Sequence, residues 1–218
     1  MEKVFNKLKF EPINKELYIE AFTHTSYTNE HPEAINYERL EFLGDAVLEL
    51  TMSDYLYNER HLEEGNMTKM RASYVCEAAC ATYAKDLDFN EYIRLGSGEP
   101  EANDTILADV FEAFIGATYL ERGFEFTKDL ILNIIVKYIN NKVEFLQDYK
   151  SKLQELVQTV KQSVVYEIID EQGPSHNKTF TCIVKVDDIV MGKGIGHSKK
   201  QAEQEAAKIA LSKQAQKI

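Results

Sequence analysis

Apolar residues recur at three- and four-residue spacing through residues 37–57, 66–86, 106–122 and 126–140. That is the period of a helix with one buried face. Polar or glycine-containing breaks separate these runs: His31-Pro32, Glu63-Glu-Gly-Asn66 and Gly96-Ser-Gly-Glu-Pro100. No alternating strand pattern precedes residue 163 or so. The character then changes. Residues 148–159 read as a helix, while 164–170, 178–186 and 188–194 are rich in Val, Ile, Thr, Phe and Tyr and read as three strands. The turns between them are Gln172-Gly-Pro174 and Asp187-Asp188. Ser198 caps a last helix that runs to about Lys213. The pattern predicts an all-α domain over 1–146 and a small α+β domain, helix, three strands, helix, over 147–218.

Charge sharpens this division. The 218-residue chain carries a formal net charge of −11, which at first sight excludes an anionic partner. Residues 1–146 hold 14 Lys and Arg against 27 Asp and Glu, whereas 147–218 hold 11 against 9. Acid is concentrated in the first domain and the second is slightly basic, so the whole-chain value says little about partners. At 44% hydrophobic residues the chain can bury ordinary cores. The three cysteines, Cys76, Cys80 and Cys182, are too few for a disulfide framework, and Cys76 and Cys80 read as small buried side chains. The N-terminus MEKVFNKLKF lacks an apolar signal core, and the greasiest stretch, 130–139, is interrupted by Asn133 and Lys137. A cytoplasmic protein without membrane attachment is expected.

Candidate chemistry lies in carboxylates. Glu38, Glu41 and Asp45 stand at i, i+3 and i+7. At about 100° per residue they share one helix face, within roughly 60° of each other. Repulsion between them is tolerable for solvation alone, and a bridging divalent cation would relieve it. Asp109 and Glu112 form a second pair on a helix apolar nearly all round, with no Lys or Arg within a turn. Carboxylates in such a place need a partner, and a metal ion would be one. Mg²⁺ favours a few carboxylates with substrate phosphate, which suits phosphodiester hydrolysis. A solvated helix face remains an alternative for the first set, and spacing does not show that the two helices meet. His24 fits a hydrogen-bonded structural histidine. Tyr18, Tyr27, Tyr37, Tyr55 and Tyr57 fit packing better than base stacking. His31 and His61 suggest no role.

The stretch Tyr37-Glu-Arg-Leu-Glu-Phe-Leu-Gly-Asp45 resembles the signature of the bacterial ribonuclease III family. So do Thr23-His-Thr-Ser-Tyr27, Glu64-Gly-Asn-Met-Thr68, Leu95-Gly-Ser-Gly-Glu99 and Ile106-Leu-Ala-Asp-Val-Phe-Glu-Ala113. The resemblance implies a metal-dependent endonuclease of double-stranded RNA that leaves 5′-phosphates and short 3′ overhangs and processes ribosomal RNA precursors and structured messages. It implies Glu41, Asp45, Asp109 and Glu112 as ligands of Mg²⁺, with Mn²⁺ substituting. Asp45 and Glu112 also count as catalytic, with Glu38 and Glu64 in support. Phe42 would pack into the partner subunit of a homodimer, and Gly44, costly in a helix by about 1 kcal/mol, would allow close helix packing. The loop Glu99–Thr105 is shorter than the family's and lacks its Ser-Gly-Gly segment, and Asn66 replaces a common acidic residue. All six carboxylates are kept.

In the second domain, Gly173-Pro-Ser-His176 with Phe180, and Gly192-Lys-Gly-Ile-Gly-His-Ser-Lys-Lys-Gln-Ala-Glu203 with Ala206 and Ala207, resemble the double-stranded RNA-binding domain. Independently of that resemblance, Ser198, Lys199 and Lys200 at a helix start favour phosphate, because free backbone N–H groups and the helix dipole already attract anions there. The resemblance adds Ser151, Gln154, Glu155 and Gln158 as contacts to 2′-hydroxyls in one minor groove, and His176 as a contact in the next. His197 stands where a third lysine is common. Two other readings compete with the nuclease. A non-catalytic binder of double-stranded RNA would most simply have lost a ligand carboxylate, and none is lost. A small-molecule phosphohydrolase has no use for a duplex reader.

Overall fold

The structure is a computed structural model that describes residues 1–60, 62–146, 148–174 and 178–215. The chain divides into two compact units, Met1–Leu146 and Gln147–Ile218.

The first unit is helical throughout. Short helices α1 (Glu2–Leu8), α2 (Lys15–Ala21) and α3 (Thr25–Glu30) lead into α4 (Glu38–Glu59), α5 (Glu64–Val75) and α6 (Glu77–Asp86). A 3-10 turn at Phe89–Glu91 precedes α7 (Asp104–Asn140). A single isolated bridge, Thr23 to Arg94, is the only β pairing among this unit's described residues. The core of the unit is α7, whose Val110, Phe111, Ala113, Phe114 and Ile115 are buried against α4 and α6. The expected break within this run is present: Gly123 takes φ 78°, ψ 178°, which only glycine adopts cheaply, and it kinks the helix between two segments. The single helix expected over 66–86 is instead two. Cys76 is extended (φ −72°, ψ 160°) and serves as N-cap of α6. No Gly or Pro marks that turn, so hydrophobic period alone runs through it. Glu64, expected in the preceding loop, is the first residue of α5.

The second unit begins with α8 (Tyr149–Thr159) and continues into β1 (Val164–Gln172), β2 (Thr179–Val186), β3 (Ile189–Gly196) and α9 (Lys199–Ala215). The strands form an antiparallel sheet in the order β1-β2-β3. Leu153 and Val157 of α8 and Ala202, Ala206, Ala207 and Ala210 of α9 cover one face, over Cys182, Val184 and Val186. Gly192 and Gly194 make this possible. A Cβ at either would overlap the α9 backbone at Ala206, so the helix lies directly on the strand. Asp148 caps α8 by accepting from the Ser151 amide at 3.1 Å.

Candidate active site

Two glycines bring the carboxylate-bearing helices together. A Cβ on Gly44 would overlap the carbonyl oxygen of Glu112, and one on Gly116 would overlap that of Leu40. Helices α4 and α7 therefore cross in backbone contact. Glu41 and Asp45 on one helix are thereby set beside Asp109 and Glu112 on the other.

Three of these carboxylates respond to burial and to their neighbours. Burial first, and then the charges of Asp45, Glu41 and Asp109, push the Glu112 carboxyl up to about 8. Burial, followed by Asp109, Glu38 and Asp45, pushes Glu41 up to about 6. Asp109 is also raised, chiefly by burial, although a hydrogen bond from Tyr37 opposes the shift. No Lys or Arg figures among the groups that set these three shifts. Among the described residues, no three His, Cys, Asp or Glu side chains converge into a ready-made metal cage. The donor set suits a hard divalent cation: four carboxylates on two helices in backbone contact, with His24 the one basic side chain that opposes the rise at Asp109.

Glu38 joins this group through Glu41, whereas Glu64 does not act on Glu41, Asp109 or Glu112. Glu64 accepts from the Thr68 hydroxyl at 3.0 Å and lines a cleft of about 400 Å³ between α4 and α5, with Leu50, Ser53, Tyr57 and Arg71. Two neighbours of the cluster escape sequence reasoning. Tyr37 donates its phenol proton to Asp109 Oδ2 at 3.0 Å. Cys80, wholly buried on α6, donates its thiol to the Val75 carbonyl at 3.6 Å, and burial and then the Glu112 charge hold that thiol well above its ordinary value. Neither residue type at its position signals a carboxylate neighbour so distant along the chain.

His24 is hydrogen-bonded, as expected: its Nδ1 accepts from the Ser26 amide at 3.2 Å and caps α3, and it also opposes the rise at Asp109. Tyr18 and Tyr37 are buried, but Tyr57 is 74% exposed, against the expectation that it packs. It continues an outward apolar stripe of α4 with Phe42, 83% exposed, and Leu50.

In the second unit, Gln154, Glu155 and Gln158 lie on the solvent side of α8, and Ser151 is half-buried, its hydroxyl hydrogen-bonded to Asp148. The Ser198 hydroxyl accepts from the Gln201 amide at 3.1 Å and so caps α9, leaving Lys199 and Lys200 exposed in its first turn. His176 and His61 lie outside the described residues.

The comparisons with known proteins agree across the whole chain. The family model described as Ribonuclease-III-like matches residues 14–139, and that of the double-stranded RNA binding motif matches 149–214. Ribonuclease 3 of Oceanobacillus iheyensis is 48% identical over 206 residues, covering 90% of each chain. The chain belongs to the ribonuclease III family. Ribonuclease 3 of Listeria monocytogenes is 47% identical over 225 residues, covering 97% of this chain and 96% of that one. A solved nuclease domain of ribonuclease III from Campylobacter jejuni matches with a TM-score of 0.58 at 40% identity, over 62% of this chain and 96% of that one. This ribonuclease III-family chain is thus an endoribonuclease, with the helical nuclease fold followed by a helix, three antiparallel strands and a helix. Among its described residues no helix is long and apolar enough to cross a membrane.

Proposed function

We propose that this endoribonuclease, made of a nuclease domain over 1–146 and an RNA-binding domain over 147–218, hydrolyses phosphodiesters of double-stranded RNA with a divalent cation. The cation is Mg²⁺, with Mn²⁺ substituting, held by Glu41, Asp45, Asp109 and Glu112. The observation that carries this reading is the meeting of α4 and α7, which gathers Glu41, Asp45, Asp109 and Glu112, with burial raising Glu41, Asp109 and Glu112 and no Lys or Arg opposing those shifts. When bound, such a cation neutralises phosphate charge and acidifies a water for attack. Asp45 and Glu112 face the reacting group from opposite helices, and Glu38 supports Glu41.

The second domain holds the duplex by its shape. Lys199 and Lys200 clamp a phosphate at the start of α9, where the dipole already favours an anion. Ser151, Gln154, Glu155 and Gln158 meet 2′-hydroxyls across a minor groove, and His176 meets the next groove. The active form is a homodimer in which Phe42 enters the partner subunit. The exposed stripe on α4 supports this, as does the Campylobacter jejuni nuclease domain, described as flexible in a region involved in dimer formation. Glu64, outside the cluster of its own chain, supports the chemistry from the dimer face. The products carry 5′-phosphates and short 3′ overhangs, and the substrates are ribosomal RNA precursors and structured messages in the cytoplasm.

The test is incubation with a long RNA duplex and with its separated strands, with Mg²⁺ or with EDTA. Shortening of the duplex alone, in Mg²⁺ alone, to fragments with 3′ overhangs is the expected result. Equal cutting of single strands, or cutting in EDTA, contradicts the proposal.

A further inference from the structure

The ligand reading above leaves open what keeps Asp109 in place, since it projects from a helix whose surroundings are apolar. The structure supplies it with a neutral donor. Tyr37, 2% exposed, donates to Asp109 Oδ2 at 3.0 Å. Its own backbone is held at both ends: its N–H donates to the Thr23 carbonyl at 3.0 Å, and its carbonyl accepts from the Glu41 amide at 2.9 Å. One residue therefore grips the carboxylate of Asp109 and the backbone of Glu41, across the two helices.

We propose that Tyr37 is a positioning residue of the metal centre. It fixes the orientation of the Asp109 carboxylate with a neutral donor and leaves its negative charge for a cation. A Lys or Arg at this place would satisfy the carboxylate equally well but would neutralise it and compete with the metal. Hydrogen-bond partners behind metal ligands commonly set affinity by 10- to 100-fold when removed. The proposal rests on Asp109 being a ligand, so its test must separate the two ideas.

Full-length wild type, Tyr37→Phe and Asp109→Asn are titrated with Mn²⁺, with free Mn²⁺ followed by electron paramagnetic resonance. Each is also melted in EDTA. Tyr37→Phe should bind Mn²⁺ about 10-fold or more weakly while melting within a few degrees of wild type. Unchanged Mn²⁺ affinity in Tyr37→Phe overturns the proposal. So does weak binding that appears only with a lowered melting temperature, which assigns Tyr37 to packing. Asp109→Asn binding Mn²⁺ as tightly as wild type would overturn the ligand reading itself, whatever Tyr37→Phe does.

Discussion

Glu112 concentrates the electrostatic tension of the nuclease unit. Its carboxyl titrates at about 8 in the folded chain, well above an ordinary glutamate, because burial and three neighbouring carboxylates oppose its ionisation. A folded-state value above the unfolded one means that this group's contribution to stability is fully present below about pH 4.5 and is lost as pH rises through about 8. In EDTA the melting temperature should therefore fall by a few degrees between pH 5 and pH 8.5. The fall should be smaller in Glu112→Gln, and Mg²⁺ should reverse much of it in wild type. Identical pH slopes for the two proteins in thermal melts would contradict this account. At this scale the sequence was legible where chemistry follows helical period: Glu38, Glu41 and Asp45 share a face because of their spacing alone. It was silent on Tyr37, because a hydrogen bond across 72 positions, as from Tyr37 to Asp109, leaves no local pattern.

Elements were legible where a side-chain pattern defines them and obscure where backbone geometry does. The long helices and the three strands follow from periods of 3.6 and 2. The break at Cys76 does not, since an extended residue between two helices needs neither Gly nor Pro. That α4 meets α7 was hinted at only by Gly44, a residue unfavourable in a helix unless another backbone occupies the place of its Cβ. Gly192 and Gly194 do the same service between β3 and α9. The start of α9 follows directly from sequence: a capping serine followed by two lysines where acidic residues would ordinarily suit the dipole. Replacing Lys199 and Lys200 by Ala should weaken binding to all RNA duplexes alike. It should also lower the slope of log affinity against log salt by about 1 to 2. Filter binding across a salt series checks this, and an unchanged slope would remove these lysines from the phosphate contacts.

At the scale of the molecule, charge and exposed apolar surface carry the argument. The nuclease unit is strongly acidic and the second unit slightly basic, as expected if one holds cations and the other holds the RNA backbone. Phe42, Leu50 and Tyr57 leave an apolar stripe on α4 that a lone copy has no evident use for. Phe42→Glu should shift the chain from dimer to monomer in analytical ultracentrifugation. A dimer of wild-type affinity would place the interface elsewhere. The central claim is that the α4–α7 carboxylates perform the cleavage while the second domain holds the duplex. It is tested most directly by comparing wild type and Glu112→Gln on one long RNA duplex in Mg²⁺, with cleavage and mobility shift read from parallel gels. The account predicts that Glu112→Gln shifts the duplex as wild type does and leaves it uncut. Cutting by Glu112→Gln at the wild-type rate would contradict it.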